Sequence, residues 1–256
     1  MSCSRNHECH AAYAPGAVLD TRFLVVKLSG NLDLSRYAYA EDVAKRRLGA
    51  ANAKTIFDVG AGDGIMRRPL EAAGFTWLGF DIAARDGISR WDLGNPCPVQ
   101  DKAADLVLWL DVIEHLANPG IALDHIAATM AAGATLLVTT PNPRWSRSRL
   151  WALQSGYPAC FTQGDLDSNG HVFPVWPHIL ERMLTDRGFE IAEYVTLDGA
   201  TTWPGAPYSL RYPVRCAIAA TMMVVERRDP TACGMSYGVV AELSGSPGAP
   251  ASPRAA

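Results

Sequence analysis

"TIFDVGAGDGIMRRPLEAAGF", Thr55 to Phe75, passes from an apolar segment into three glycines within five residues and then into a helical pattern. "KTIFDVG" reads as a short buried strand. "GIMRRPLEAAGF" reads as a helix closed by Gly74, with Pro69 held to its first turn or bending it. Such a corner brings backbone close to a ligand, or it only turns the chain in an α/β fold. A dinucleotide fold offers G-x-G-x-x-G. Here the glycines are Gly60, Gly62 and Gly64, preceded by an acid at Asp58. A pyrophosphate gains nothing from a carboxylate beside its cradle, whereas a cationic ligand does.

The rhythm continues outward from this corner. "TWLGFDI" is a second strand, "GISRWDL" a short third, and "AADLVLWLD" a fourth. The fourth is nearly continuous in apolar residues, as in a central parallel strand covered on both faces. "PGIALDHIAATMAAG" reads as a helix ending at Gly133, and "ATLLVTTP" as a fifth strand stopped by Pro141. Before the corner, Asn31 to Ala51 reads as a helix with Asp33 or Ser35 as its cap. Strands alternating with helices at this spacing predict a parallel sheet with right-handed crossovers. Ligands then bind beyond the carboxyl ends of the strands, where the topology switches.

From Asn142 to Val175 the rhythm stops. "RWSRSRLWALQSGYP" suggests a basic and aromatic helix and "CFTQGDLDSNGH" a loop, so the segment about 142–175 is expected to be a lid or substrate wall. "PHILERMLTDRGFEI" restores the pattern, with Ile179, Leu180, Met183 and Leu184 on one helix face, Gly188 at its end and a sixth strand through Thr196. Cys216 to Val225 carries no charge and is read as helix, with Tyr237 to Leu243 as the last strand. The expected organisation is a flexible leader over 1–30, a catalytic domain over 31–243 and a disordered tail over 244–256.

With 256 residues, 48% hydrophobic and 19% charged, the chain has the composition of a globular domain with a substantial core. A formal net charge of −3 gives no electrostatic reason to expect nucleic acid. The first residues lack an apolar signal core, so a cytoplasmic location is expected. The six cysteines contain no C-x-x-C pair and are read as reduced thiols. Cys3, His7, Cys9 and His10 cluster near the start but match no familiar zinc spacing, and no metal ligand set is assigned.

The strand ends define a ligand. Asp58 can face an ammonium group, and the glycines admit backbone approach without a Cβ. Asp81, ending the second strand about twenty residues on, can accept from both hydroxyls of a ribose. Asp92 can accept from the exocyclic amine of adenine, with Leu93 as an apolar edge. Leu110 and Asp111 follow the fourth strand. An amino acid at one end, ribose in the middle and adenine at the other describe S-adenosylmethionine.

"FDVGAGDG…FDI…WDL…LDVIEHLANP…LLVTTPNP" resembles the class I S-adenosylmethionine-dependent methyltransferases, over roughly Lys54 to Leu197. Within them it is most similar to the ubiquinone-biosynthesis-type small-molecule branch. The segment "TTPNPRWSRSRLWALQSGYP…GHVFPVWPHILERMLTDRGFEI" is similar to bacterial methyltransferases associated with cell-surface glycan synthesis. The resemblance implies a Rossmann-like fold with a mainly parallel seven-stranded sheet and helices on both faces. It implies that Asp58, Gly60 and Gly62 hold the methionine part, Asp81 the ribose, and Asp92 with Leu93 the adenine, with Leu110 and Asp111 lining the pocket and Ala61, Gly64 and Ile82 among the cofactor-binding residues. It also implies methyl transfer, with oxygen the expected acceptor atom, to a small molecule or a glycan or lipid-linked intermediate.

Two histidines are the catalytic candidates. His115 either packs a helix end or faces the transferred methyl and takes the acceptor's proton, a task that an imidazole with its ordinary pKa near ~6.5 suits. His171 has the same two readings. Glu114 reads as structural. Arg144, Arg147 and Arg149 either meet an anionic acceptor or form a solvated helix face. Trp145, Trp151, Tyr157, Phe161 and Trp176 wall an acceptor or fill the insertion's own core. The apolar segment about 209–228 either packs on the sheet or lies weakly against a membrane surface between its flanking arginines. Two other functions fit the same sheet. A nicotinamide-dependent oxidoreductase would require the G-x-G-x-x-G that is missing here, and a non-catalytic S-adenosylmethionine-binding protein would keep the loop without turnover.

Overall fold

The computed structural model describes residues 28–49, 54–101, 103–205 and 210–245. Most of the leader and tail, together with Cys3, His7, Cys9 and His10, lie outside them. The described strands are β1 (Gly30–Asn31), β2 (Thr55–Val59), β3 (Thr76–Asp81), β4 (Ile88–Arg90), β5 (Ala104–Leu110), β6 (Met130–Pro141), β7 (Phe189–Leu197) and β8 (Ser236–Leu243). They form one sheet in the order β1-β7-β8-β6-β5-β2-β3-β4. Every neighbouring pair is parallel except those of β8, which runs antiparallel to both β6 and β7. Seven strands match the expectation, and β1 adds a two-residue edge.

The described helices are α1 (Arg36–Leu48), α2 (Arg67–Ala72), α3 (Pro119–Ala127), α4 (Ser146–Ser155), α5 (Gln163–Asn169), α6 (Pro177–Thr185) and α7 (Tyr212–Arg228). The alternation of β5 sets the layers. Leu106 and Leu108 join Tyr39, Val43 and Leu70 of α1 and α2 in one core. Val107 and Trp109 join Leu123, Ile126, Leu180 and Leu184 of α3 and α6 in the other. Leu180 and Leu184 are fully buried, each contributing about 1.5–3 kcal/mol by leaving water.

Four local readings are corrected. α1 starts at Arg36, because Asn31 and Leu32 are drawn to β7: the Leu32 N–H donates to the Thr196 carbonyl at 2.9 Å, and Ser35 then caps the helix by accepting from the Ala38 N–H. α3 ends at Ala127 rather than at Gly133. The Thr129 hydroxyl turns back onto the Ile126 carbonyl at 2.7 Å, and Met130 is already paired with Ala104 in the sheet. The stretch read as a loop contains α5, started by a capping box in which Thr162 and Asp165 satisfy each other's backbone N–H. Finally, α7 packs on α4 rather than on the sheet, leaving Val214, Ile218 and Val224 about half exposed. Among the described residues, no helix is long and apolar enough to cross a membrane.

The chain winds outward from β2 to β3 and β4, then returns to β5 and β6 on the other side. The carboxyl ends of β2 and β5 therefore flank the switch point. Because β8 is antiparallel, its first residue, Ser236, pairs with Pro141 at the end of β6 and reaches the same rim.

Candidate active site

The glycine corner follows β2. Gly60, Gly62 and Gly64 all have positive φ, at 79°, 56° and 69°. At Gly60 an added Cβ would sit 2.2 Å from Val112 Cγ2, so the corner packs directly on the segment after β5. At Gly62 an added Cβ would meet nothing within 4 Å. The space over Gly62 is therefore open. The Gly62 N–H donates to Asp81 Oδ2 at 2.9 Å, and the Ala83 N–H donates to Asp81 Oδ1 at 3.0 Å. Asp81 thus ties the loop to the tip of β3, with exposed Ile82 beside it.

Asp58 is buried, and its Oδ2 accepts from the Trp77 indole N–H at 3.0 Å. Burial pushes its carboxyl up to about 6; the Trp77 donor pulls it down, and the Asp81 charge adds to the rise. A cationic group would relieve this cost. Glycine loop, Asp58 and Asp81 therefore fit the amino-acid and ribose ends of the expected cofactor. Asp92 fits less directly, because its carboxylate closes its own turn through the Gly94 N–H and the Asn95 side-chain amide. Leu93 is buried, and its carbonyl accepts from the His125 ring.

The second half of the site is a cavity of about 380 Å³ beside the ends of β5 and β6, lined in part by Arg36, Asp111, Glu114, His115, His171 and Ser236. Leu110 ends β5 and is buried, and Asp111 follows at a φ of 52°. That left-handed turn aims its carboxylate at Arg36 Nη1, 2.8 Å away, and at the Thr139 hydroxyl, 2.7 Å away. Glu114 and His115 lie on a single 3₁₀ turn, Ile113–His115, and His171 follows α5.

Glu114 is fully buried. Its Oε2 accepts from the Thr140 hydroxyl at 3.0 Å, whereas its Oε1 is buried with no hydrogen-bond partner. Burial first, and then the charge of Asp111, pushes its carboxyl up to about 8. His115 Nδ1 lies 3.2 Å from the Gly170 carbonyl and His171 Nδ1 lies 2.6 Å from the Cys160 carbonyl. A carbonyl only accepts, so the hydrogen is assigned to Nδ1 in each ring, and in the neutral form the lone pair falls on Nε2. The two rings meet edge to face at 4.9 Å between centroids. The turn and the segment after α5 are tied together, since the Val172 and Phe173 N–H groups both donate to the Glu114 carbonyl, at 3.0 and 3.1 Å.

The sequence candidates thus fall into two clusters: Asp58, Gly60, Ala61, Gly62, Gly64, Asp81 and Ile82 around the glycine corner, and Asp111, His115 and His171 at the cavity. Glu114 proves to line the cavity rather than serving only to pack it. Arg36, Cys160 and Ser236 carried no motif and were missed. Arg144 and Arg149 both pair with Asp229, clamping α4 to the segment after α7. Arg147 lies over the Trp145 ring, 5.7 Å from its centroid. Of the aromatic residues singled out, Phe161 packs against the His171 ring, while Trp151 and Tyr157 are exposed.

These features meet known proteins at one point. The family described as "Methyltransferase domain" matches residues 34–194, well over half of the chain. A ubiquinone biosynthesis O-methyltransferase of Paramagnetospirillum magneticum is 28% identical over 154 residues, which cover 54% of this chain and 60% of that protein. One from Caulobacter vibrioides is 30% identical over 132 residues, covering 42% and 51%. The chain therefore spans little more than half the length of these curated relatives. Among solved structures, a SAM-dependent methyltransferase from Archaeoglobus fulgidus shares the fold with a TM-score of 0.53 at 17% identity, covering 80% of this chain and 94% of its own. The fold also matches magnesium protoporphyrin IX methyltransferase from Synechocystis, with a TM-score of 0.51 at 16% identity, covering 81% and 82%.

The fold and the glycine corner define a class I S-adenosylmethionine-dependent methyltransferase. The chain belongs to the methyltransferase-domain family. The nicotinamide alternative falls with this assignment.

Proposed function

We propose that the protein moves the methyl group of S-adenosylmethionine to a hydroxyl oxygen of a small molecule or of a glycan or lipid-linked intermediate, in the cytoplasm. The observation that carries this reading is the cavity lined by His115, His171 and Glu114, where each imidazole is held at Nδ1 by a backbone carbonyl. The names of the curated relatives support oxygen as the acceptor atom.

In this reading Asp58 and the glycine corner hold the methionine end, Asp81 the ribose, and Ile82 with Leu93 the adenine. The acceptor enters the cavity beside α5 and the segments that flank it, which supply Cys160, Asn169 and His171 to the lining. The acceptor oxygen attacks the sulfonium methyl carbon as the carbon–sulfur bond breaks. The electron pair passes to sulfur, whose positive charge disappears, and the hydroxyl proton leaves at the histidine pair. Because the leaving sulfur needs no electrophile, alignment supplies much of the acceleration.

The α4–α7 face supports a contact with lipid, which would bring an apolar acceptor to the cavity. Val214, Ile218 and Leu210 are exposed there, with Arg211 and Arg215 beside them.

The test has two parts. S-adenosylhomocysteine, and not NADH, is expected to raise the melting temperature. Methyl transfer from labelled cofactor is then screened over phenols, sugars and lipid-linked hydroxyl compounds. Cofactor binding with label appearing only on amines or carbon would overturn the oxygen assignment.

A further inference from the structure

We propose that Glu114, His115 and His171 form a binding site for one divalent transition-metal ion, with zinc the best match, at the acceptor end of the cavity. The proposal rests on the reading of that cavity as the acceptor pocket.

One ligand atom from each of the three residues lies within 4.8 Å of the others. What distinguishes this group from an ordinary surface cluster is the state of those atoms. The carbonyls of Gly170 and Cys160 hold the two imidazoles at Nδ1. In the neutral ring this tautomer leaves the lone pair on Nε2, as in metal-ligating histidines whose other nitrogen donates to a backbone carbonyl. Glu114 Oε1 is buried, faces no donor and belongs to a side chain that is fully enclosed. Thr140 orients the same carboxyl from its other oxygen at 3.0 Å. Three groups that can each offer a ligand atom therefore meet around a buried carboxyl, and a cation would take the place of a proton among them.

Two imidazoles and one carboxylate are a ligand set that zinc takes in catalytic sites, where further positions stay open to water or substrate. The same set suits iron(II) and related ions. The open side here is the cavity of about 380 Å³. It would admit an acceptor with adjacent oxygens, such as a catechol or a hydroxy-ketone, as a chelating ligand. With an ion held there, a coordinated hydroxyl would lose its proton to water, which would replace the histidine pair as the proton acceptor described above. The ion would also join the two chain segments at the site, since Glu114 and His115 follow β5 and His171 follows α5.

The experiment uses the full chain with Cys3 and Cys9 replaced by serine, so that the N-terminal cluster does not contribute. The protein is stripped with chelator and titrated with zinc alone by calorimetry, and the bound metal is measured by elemental analysis after desalting. One equivalent per chain is expected. His171→Ala and His115→Ala are expected to lose stoichiometric uptake, and cobalt(II) substitution is expected to give a visible absorption band that both variants lose. Circular dichroism confirms that each variant folds; if one does not, Glu114→Gln replaces it, with the same expected loss. No zinc uptake by the parent, or one full equivalent retained in the histidine variants, overturns the site. S-adenosylhomocysteine binding is measured on the stripped protein. Cofactor binding without zinc uptake refutes the metal site alone, whereas zinc uptake without cofactor binding refutes the methyl-transfer reading alone.

Discussion

Replacing Asp58 by asparagine is expected to make the ligand-free protein more stable at neutral pH while weakening its hold on the cofactor. Asp58 is 4% exposed, and its ionised form is disfavoured because burial raises its pKa from 3.8 to about 6. Each tenfold change in proton affinity is worth about 1.4 kcal/mol, so the folded, ionised state is disfavoured by at most ~3 kcal/mol above pH 6. The sign follows from linkage. The folded chain binds the proton more tightly than the unfolded chain, so the Asp58 contribution to stability falls as pH rises from about 4 to about 6, and is constant on either side. Asparagine has nearly the same shape and keeps an oxygen for the Trp77 indole N–H. It should therefore gain up to ~3 kcal/mol at pH 7.5 and nothing below pH 4. Without the carboxylate, the cofactor's ammonium loses a charge-assisted contact of about 1.5–3 kcal/mol, a loss of roughly 10- to 100-fold in affinity. Denaturant melts of both proteins at pH 4 and 7.5, with calorimetry of S-adenosylhomocysteine at pH 7.5, measure both effects. Equal stability at pH 7.5 would refute the reasoning. So would an advantage that persists unchanged at pH 4, which would make it a packing effect rather than one of ionisation.

Gly60→Ala places a Cβ 2.2 Å from Val112 Cγ2 at a φ of 79°, and is expected to cost about 3 kcal/mol in denaturant unfolding. Adding Val112→Ala should recover only the part due to the clash. Glu226→Ala removes the buried carboxylate that accepts from the Ser146 hydroxyl at 2.6 Å and from the Thr201 N–H at 3.0 Å. It is expected to destabilise by about 2–4 kcal/mol and to speed proteolysis at α7, read by mass spectrometry of the fragments. Val214→Glu together with Ile218→Glu charges the exposed face of α7, and sedimentation with anionic vesicles is expected to fall at least ~10-fold. Unchanged sedimentation would remove the lipid contact.

The sheet was legible because its strands announce themselves twice, by apolar content and by the residues that end them. Asp81 closes β3, and Pro141 closes β6. The errors fell where two local signals compete. Ala131 to Gly133 has helix-forming alanines, but Thr129 and the pairing of Met130 with Ala104 take the chain into β6 first. Residues 163–169 have Leu166 as their one large apolar side chain and read as a loop, yet the capping box of Thr162 and Asp165 is enough to start a short helix. In α7 the run from Cys216 to Val225 lacks charge, which points to burial. Its partner is another helix, α4, and a single helix contact covers only one side.

The rim proposed to hold the cofactor could be laid out from the sequence because its acids sit at or beside strand ends, and strand ends can be counted. The acceptor cavity offers no such count. Arg36 comes from the first turn of α1, Asp111 to His115 from after β5, His171 from after α5, and Ser236 from a strand whose direction is reversed. No spacing rule joins residues 36, 114, 171 and 236, since they meet only through the topology that puts β8 between β6 and β7. Within that cavity, the identity of Glu114 alone did not reveal its role. A glutamate after an apolar strand is usually exposed, and it takes on chemical meaning only once its Oε1 is seen enclosed without a donor while two imidazoles present lone pairs beside it. The information that separates a packing residue from a reacting one is thus the direction of a few hydrogen bonds, here the two that hold Nδ1 of His115 and His171 to backbone carbonyls.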